Sequence, residues 1–307
     1  MTGMISAVSA NHATLVQYIE VWHIEEDGQT MRLQTHARLR GNVVDSGSSE
    51  RRVDCGEGIA GMAWNRRNAV ILHEAPSELL QRIGNQIGLE LTALIAYPIM
   101  RGHDVLSVIV FGIGNGPGAF EVWSRDDRDE LSISASYYAG LKSLEFMSRY
   151  VRFPKGAGLP GTAWKTGLPK LAPDLAHSAS FMRSFDADET QLKTGLGLPV
   201  GSTAGHAESI LVLLSSQDTP IANAFEIWTA GAVTEDSTEF QCIAADWSAV
   251  AEDGARPPVE CHQTLLSAWT TGRPVFSAET ESPSVRAMLA VPVYHSTDRV
   301  AIVVFFF

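Results

Sequence analysis

The segments Tyr18–Trp22 (YIEVW), Phe120–Trp123 (FEVW) and Phe225–Trp228 (FEIW) are near copies of one another. Their closing tryptophans recur at intervals of 101 and 105 residues. Each copy is rich in the aromatic and β-branched residues that are typical of a β-strand. A strand that recurs at this interval indicates that one fold of roughly a hundred residues is repeated three times along the chain.

Further landmarks follow each copy in the same order. A second tryptophan lies 41 or 42 residues after the first, a proline follows within an apolar segment, and an apolar run closes the repeat. These landmarks are Trp64, Trp164 and Trp269, then 96–99 (AYPI), 197–200 (GLPV) and 290–293 (AVPV), then 107–111, 209–213 and 301–305. We therefore expect three units, which span residues 1–114, 115–217 and 218–307.

Period-two alternation predominates within each unit. It is clearest in 31–37 (MRLQTHA) and 131–137 (LSISASY), which follow the opening strands through charged turns and so predict hairpins. Glycine-bearing segments at 58–64 and 158–164 predict a short helix before a third strand, and apolar spacing predicts another helix over 77–88. The predicted fold class is α+β, with antiparallel sheets and short helices on one face, repeated three times.

Short turn-forming segments join the units. Residues 112–118 (GIGNGPG) and 215–220 (SSQDTP) leave no room for a connecting helix. Such a turn favours a hairpin, so adjacent units are expected to share a sheet or to lie edge to edge. A permuted arrangement, in which the closing strand of the first unit belongs to the second, is the alternative.

Composition narrows the class of protein. At 307 residues with 45% hydrophobic content, each unit is large enough to bury its own core. The net charge of −12 argues against a nucleic-acid partner, which needs a basic surface. No apolar run approaches the ~20 residues of a membrane span, and no secretion signal is evident. We expect a soluble, cytoplasmic protein that binds neither nucleic acid nor a membrane.

Residues 153–174 (FPKGAGLPGTAWKTGLPKLAPD), followed by Phe181 and 195–200 (GLGLPV), resemble the GAF domain. The resemblance covers most of the second unit, whereas the first unit retains 56–64 and the third retains little beyond 269–274 (WTTGRP). It implies a GAF/PAS-like fold and a small-molecule sensor or dimerisation module, with the ligand between sheet and helices. The chain shows neither the long flanking helices nor the output domain common in that family, so we expect it to act through a partner protein or a homodimer.

The resemblance suggests candidate pockets in two of the units. In the second unit, a tryptophan wall, an apolar cover and polar contacts are supplied by Trp164, Asp174, Phe181, Met182, Arg183 and Phe185. In the first unit the candidates are Trp64 and Tyr97. The alternative is that these side chains fill the core, so that the protein is a structural interaction scaffold. The cofactor or ligand is not specified by the sequence.

The third unit departs from the other two. The second tryptophan and the proline are 34 and 35 residues apart in the first two units but 23 apart in the third. A covering segment is therefore missing, and Gln263 and Leu266 replace the glycines. We expect a terminal unit that encloses no ligand, and we expect its final strand, 303–307 (VVFFF), to be buried or paired.

The sequence predicts neither catalytic nor metal-binding residues. The three cysteines form no C-x-x-C pair, which excludes a repeated zinc or disulfide framework. Glycines at 56–61 and 156–161 match the spelling of a dinucleotide motif, but that motif requires a parallel βαβ unit. We expect these glycines to shape the helix start, with an anion site as the alternative. Cys55, before that helix, leaves a thiol reductase as a less favoured reading than a non-catalytic module.

Overall fold

The computed structural model describes residues 14–40, 43–48, 50–73, 78–178, 181, 192–203, 206–233, 238–250, 254–278, 280, 282 and 285–307. Within these ranges the chain forms three antiparallel sheets and five short helices. The predicted α+β class is therefore confirmed. Each sheet, with the helices that pack on it, is called a layer below.

The first layer contains seven strands and two helices. Its strands are β1 (Val16–Ile24), β2 (Thr30–Arg40), β3 (Val43–Gly47), β4 (Arg52–Asp54), β5 (Val70–Leu72), β6 (Ala93–Arg101) and β7 (Asp104–Ile113). Their order is β3-β2-β1-β7-β6-β5, and β4 also pairs with β2. Helix α1 (Gly58–Arg66) precedes β5, and α2 (Glu78–Ile87) follows it, as the apolar spacing predicts.

The second and third layers each contain five strands in the same order as β2-β1-β7-β6-β5 of the first layer. The second contains β8 (Gly118–Arg125), β9 (Leu131–Tyr138), α3 (Lys142–Ser148), α4 (Gly158–Thr166), β10 (Lys170–Ala172), β11 (Leu192–Thr203) and β12 (His206–Ser216). The third contains β13 (Ala224–Val233), β14 (Thr238–Asp246), α5 (His262–Thr271), β15 (Val275–Ser277), β16 (Met288–His295) and β17 (Asp298–Phe306). Their orders are β10-β11-β12-β8-β9 and β14-β13-β17-β16-β15.

The pairing of the closing strands decides between the arrangements left open by the sequence. Strand β7 pairs with β1 and β6, so it belongs to the first sheet and the permuted arrangement is wrong. Strands β7 and β8 lie in different sheets, so the segment 112–118 does not form the hairpin that its turn residues favour. The chain leaves one sheet and enters the next because both strands already have partners on both sides.

The inner strands of each sheet are buried on both faces. In β16, Met288 and Ala290 pack with α5 in a core local to the third layer, whereas Leu289 and Val291 point into a core shared by all three sheets. Successive strand residues face opposite sides, so apolar residues at every position bury both faces. The final strand, β17, pairs with β13 and β16 and is buried, which confirms the prediction for 303–307.

The three layers contact one another in a closed arrangement. The equivalent strands β6, β11 and β16 pack together, and the edge strands β5 and β10 lie beside β9 and β14. The Tyr97 hydroxyl donates to the Pro199 carbonyl over 2.8 Å, which links the first layer to the second. Arg273 reaches back from the third layer to the carbonyl of Ile24 in the first, over 3.4 Å. The layers therefore meet through sheet faces that form a shared core, with further contacts between edge strands, and they do not share a sheet.

Candidate functional site

A buried glutamate lies in each opening strand and points toward the helices. Glu20, Glu121 and Glu226 are 4%, 0% and 0% exposed. Each accepts a hydrogen bond from the indole of the tryptophan two residues further on, because residues i and i+2 of a strand share a face. The N–O distances are 2.8 Å for Trp22–Glu20, 2.9 Å for Trp123–Glu121 and 2.9 Å for Trp228–Glu226. The repeated Glu-x-Trp spacing thus builds the same buried pair three times.

In the first layer, Glu20 holds an arginine at the edge of the core. Its Oε1 accepts from the Tyr18 hydroxyl over 2.7 Å and forms an ion pair with Arg51. The Arg51 guanidinium carbon lies 5.4 Å from the centroid of the Trp22 ring. Burial and the adjacent Glu20 carboxylate raise the pKa of Tyr18 far above its usual value, so its hydroxyl remains a donor. Glu20 is thereby satisfied by three donors.

A cavity of about 310 Å³ opens above this pair, between the sheet and the two helices. Its lining comes from β1 (Glu20 and Trp22), the segment 51–53, the start of α1 (57–60) and α2 (Ile83 and Gln86). The volume falls at the lower end of the range of about 300–1,000 Å³ found for ligand pockets. Its walls combine apolar side chains with two guanidinium groups, so it can hold a small molecule that has both apolar and polar parts.

Glycines shape the start of α1 beside this cavity. Gly56 and Gly58 have φ values of 90° and 59°, in the left-handed region that glycine adopts at little cost. A Cβ atom on Gly61 would collide with the backbone oxygen of Asp54. The equivalent glycines at 156–161 show the same features, with the same positive φ values at the first two. The predicted role of the glycines at the helix start is confirmed, and the antiparallel surroundings do not provide the βαβ unit of a dinucleotide site.

The two residues predicted for the first-unit pocket do not line this cavity. Tyr97 lies on the opposite face of the sheet, where its hydroxyl bonds to the Pro199 carbonyl. Burial raises the pKa of Tyr97 well above its usual value, so its hydroxyl also remains a donor. Trp64 is partly buried and packs against the hydrophobic core that includes the helix side of the first layer. The cavity is lined instead by Glu20, Arg51 and their neighbours, and the sequence signal for this position is the glutamate repeated in the opening segments.

Only part of the site predicted for the second unit lies within the described residues. Trp164 and Phe181 are buried together in the helix–sheet core of the second layer. The indole nitrogen of Trp164 is buried and has no hydrogen-bond partner among the residues that the structure describes. Asp174 is exposed and bonds to His177, with an oxygen–Nδ1 distance of 3.1 Å. Met182, Arg183 and Phe185 lie outside the described residues.

The third layer fills the space around its glutamate with its own side chains. The Trp247 indole donates to Glu226 over 2.9 Å, and the Arg256 guanidinium donates to the same oxygen over 2.6 Å. The Arg256 guanidinium carbon lies 5.8 Å from the centroid of the Trp247 ring. Beside it, burial raises the pKa of Cys261 to about 11, so this thiol stays protonated at neutral pH. The side chains leave the glutamate enclosed.

A covering helix also distinguishes the two layers. Helix α2 lies between β5 and β6, and its Ile83 and Gln86 form one wall of the cavity. No helix occurs between β15 and β16 in the part of the third layer that the structure describes. This difference agrees with the shorter tryptophan–proline spacing of the third unit.

The remaining reactive groups are dispersed. Cys55 and Cys242 are exposed, Cys261 is buried, and all three are free thiols. Cys55 lies 3.8 Å from the Asn65 side-chain oxygen and is not part of the cavity lining. Across the described ranges, no group of three or more His, Cys, Asp or Glu side chains is arranged to hold a metal ion. None of the helices described is both long and apolar enough to cross a membrane.

Comparison with known proteins finds similarity to solved structures over about a third of the chain. No family model matches, and no curated protein matches. The GAF domain of A. aeolicus nlh2 in an inactive state is 19% identical, covering 33% of this chain and 59% of that chain at a TM-score of 0.27. Free methionine-R-sulfoxide reductase from Neisseria meningitidis in complex with its substrate is 18% identical, covering 34% and 53% at a TM-score of 0.26. A Staphylococcus aureus NreA protein mutated in its nitrate binding site is 17% identical, covering 35% and 80% at a TM-score of 0.28.

Proposed function

We propose that this protein is a non-catalytic small-molecule-binding module of three tandem GAF-like units, with boundaries at 1–114, 115–217 and 218–307. The cavity of about 310 Å³ in the first layer is the observation that carries this proposal. It lies between a sheet and its helices, where a bound molecule would contact both. The module acts in the cytoplasm through a separate partner protein.

The lining residues suggest how a ligand is held. Ile59, Ala60 and Ile83 provide an apolar wall, while Arg51 and Arg52 place guanidinium groups at the rim. An arginine presents several N–H donors in a fixed planar array, which suits carboxylate and similar oxygen acceptors. The ion pair with Glu20 holds Arg51 in position. The ligand is therefore expected to place an apolar body against the helices and an oxygen acceptor beside Arg51.

The environment of the polar groups supports binding without turnover. A general base must be able to reach a proton on the substrate, but Glu20 already accepts bonds from Tyr18, Trp22 and Arg51. The nearest thiol in sequence, Cys55, does not line the cavity. We expect Cys55→Ser to leave ligand binding unchanged, whereas a peroxide- or sulfoxide-dependent activity that this variant abolishes would support the thiol-enzyme alternative.

Native mass spectrometry of the purified full chain, followed by denaturing mass spectrometry of the same sample, tests the proposal. We expect a small molecule that is released on denaturation. Ile83→Trp should abolish it, because the indole occupies the cavity, whereas Ile243→Trp, at an exposed position of the third sheet, should retain it. Near-ultraviolet circular dichroism checks that both variants are folded. A bare wild-type chain, or a molecule that remains bound to folded Ile83→Trp, contradicts the proposal.

A structural scaffold is the second candidate function. The third layer favours this function, because its own side chains fill the space around its glutamate. Trp247 and Arg256 enclose Glu226 and leave that carboxylate no open face. If all three units were filled in this way, the protein would serve only to join partners. A bare chain in the experiment above, together with an unchanged unfolding temperature across a metabolite panel, would favour this second function.

A further inference from the structure

The first and third layers meet at a junction that is rich in arginine. Arg273, just after α5, donates from its guanidinium to the Ile24 carbonyl of β1 over 3.4 Å. At a second contact, the Gly102 N–H between β6 and β7 donates to the Ser296 carbonyl between β16 and β17 over 2.6 Å. Arg101, at the end of β6, directly precedes Gly102. Both contacts therefore place an arginine at the boundary between these layers.

Three arginines lie near the Tyr294 side chain at this junction. Burial raises the pKa of Tyr294, while nearby positive charges act in the opposite direction. Those charges belong to Arg299, Arg101 and Arg273, which we call the arginine cluster. A Cβ atom on Gly272 would collide with the Tyr294 hydroxyl and would lie 3.6 Å from the Arg299 guanidinium carbon, so both side chains pack against the end of α5. The cluster thus combines one arginine of the first layer with two of the third.

Aromatic rings hold the Arg299 guanidinium in place. Its central carbon lies 5.2 Å from the centroid of the Trp269 ring and 5.9 Å from that of the Tyr294 ring, which is the geometry of a cation–π contact. Its Nε and Nη1 atoms are buried and have no hydrogen-bond partner within the described ranges. Buried N–H groups in proteins are normally paired. Two unpaired donors on one fixed guanidinium therefore point to an acceptor that the described residues do not supply.

The arginine cluster has no acidic counterpart among the described residues. None of its members forms an ion pair in that part of the chain, whereas Arg52, for example, pairs with Glu25. Asp104 and Asp298, in the two adjoining turns, are exposed and are not paired with the cluster. Like charges that are held together repel one another. A bound anion would relieve this repulsion, although the chain as a whole carries a net charge of −12.

We propose that the arginine cluster binds a phosphate group, either as free phosphate or as a phosphate monoester. The planar N–H edge of a guanidinium matches the oxygens of phosphate, and several arginines can share one tetrahedral anion. A phosphate monoester carries a charge of about −1.5 to −2 near pH 7, which offsets three guanidinium groups better than the single charge of a carboxylate. The bound group joins the first layer to the third. This inference goes beyond the proposed function, because no member of the cluster lines the first-layer cavity.

Titration of the full chain with inorganic phosphate tests this proposal. Isothermal titration calorimetry, at an ionic strength held constant with sodium chloride, should show saturable binding to the wild type. Arg101→Gln combined with Arg273→Gln should weaken binding by about tenfold or more, because two charged donors are lost. Arg66→Gln combined with Arg128→Gln removes the same charge from exposed positions elsewhere and should bind phosphate as the wild type does.

Thermal unfolding separates a binding role from a structural one. Phosphate should raise the unfolding temperature of the wild type and of the Arg66→Gln, Arg128→Gln control, because a ligand that binds only the folded state stabilises it. It should not raise that of the Arg101→Gln, Arg273→Gln variant, whose fold is checked by near-ultraviolet circular dichroism. Arg101 is exposed, so Arg101→Gln alone provides a milder variant if the double variant does not fold.

A second titrant, glycerol 3-phosphate, distinguishes the two sources of the phosphate group. Tighter binding than that of inorganic phosphate supports a monoester, and weaker binding supports free phosphate. The proposal is overturned if inorganic phosphate shows no saturable binding or if both double variants bind it equally well. Ile83→Trp should retain phosphate binding, which separates this proposal from that of the first-layer cavity. Loss of phosphate binding in folded Ile83→Trp would instead place the anion in that cavity and would also overturn the proposal.

Discussion

The first and third layers place the same buried carboxylate in very different surroundings. Glu20 and Glu226 each accept an indole N–H and each pair with an arginine. Glu20 nevertheless lines a cavity of about 310 Å³, whereas Glu226 is enclosed by Trp247 and Arg256. One backbone arrangement thus supports either an open site or a solid core. The residues on neighbouring elements decide which of the two forms.

The first and second layers also differ in the cross-strand residues beside the glutamate. In the second sheet, the small Ala119 faces Tyr138, whose hydroxyl donates to Glu121 over 2.7 Å. In the first sheet the large residue is on the other strand, because Tyr18 faces Arg38. Arg38 pairs with Asp45 on β3 at 3.4 Å, away from the glutamate. In both sheets a tyrosine hydroxyl therefore donates to the glutamate, from β1 in the first layer and from β9 in the second.

The largest expected effect comes from emptying the third layer. Trp247→Ala should lower the free energy of unfolding by about 3–5 kcal/mol, since a buried indole is lost and a cavity remains. Indole added to the variant should restore part of the unfolding temperature, because a cavity of matching shape binds the missing ring. Urea unfolding with and without indole measures both effects. A wild-type response to indole of equal size would show that the effect does not arise at this site.

Neutralising the two glutamates compares them directly. Glu226→Gln should lower the free energy of unfolding by about 1–3 kcal/mol, because the buried amide leaves Arg256 and an indole poorly paired. Glu20→Gln should cost less, since water in the open cavity can solvate the groups that it leaves. Urea unfolding of both variants gives the difference. Equal losses would mean that the cavity does not admit water to Glu20.

The contact between the first and third layers should depend on pH through His23. Burial and the nearby Arg273 lower the pKa of His23 to about 4, below the value of about 6.5 expected in the unfolded chain. The stability that neutral His23 contributes is therefore fully present above about pH 6.5 and is lost as the pH falls toward 4. About 1–2 kcal/mol of it is lost by pH 5. His23→Gln should reduce this decline in urea unfolding, and the exposed His103→Gln should not. Identical pH dependence of stability in the wild type, His23→Gln and His103→Gln would show that His23 does not cause the decline.

The smallest effect is expected at the rim of the cavity. Arg52 pairs with Glu25 over 3.1 Å, and both are accessible to solvent. Arg52→Ala should leave the free energy of unfolding nearly unchanged, because exposed ion pairs are strongly screened. The same variant should weaken ligand retention in native mass spectrometry if the guanidinium contacts the ligand. A large loss of stability without a change in retention would assign Arg52 a structural role instead.

Much of the local structure could be predicted from the sequence. Alternating residues predicted β2 and β9, apolar spacing predicted α2, and the glycines marked the starts of α1 and α4. Strands β3 and β4 and helix α3 were not predicted, because they are short and depend on packing for their stability. The hairpin expected at 112–118 was wrong, since turn residues show where the chain reverses but not which strand it joins next.

The site was less predictable than the elements that form it. Tyr97 could not be assigned to one face of β6 from the sequence, because both faces of the strand are apolar and a period of two does not show which face meets the helices. The buried glutamates were present in each repeated segment, but a glutamate in a strand usually faces solvent. Its indole partner lies two residues further along the same strand, but the arginines that pair with Glu20 and Glu226 come from distant segments, so the ion pairs are visible only in the structure.

The sequence by itself determined the repeated opening strand, the positions that require glycine and the burial of the last strand. These follow from local geometry and from apolar runs that cannot remain in water. Only the tertiary structure decided that the three sheets share one core, that the first layer contains the open cavity and that Trp247 closes the third. These features depend on which side chains from distant segments occupy the same volume, and close packing leaves that outcome to the whole fold.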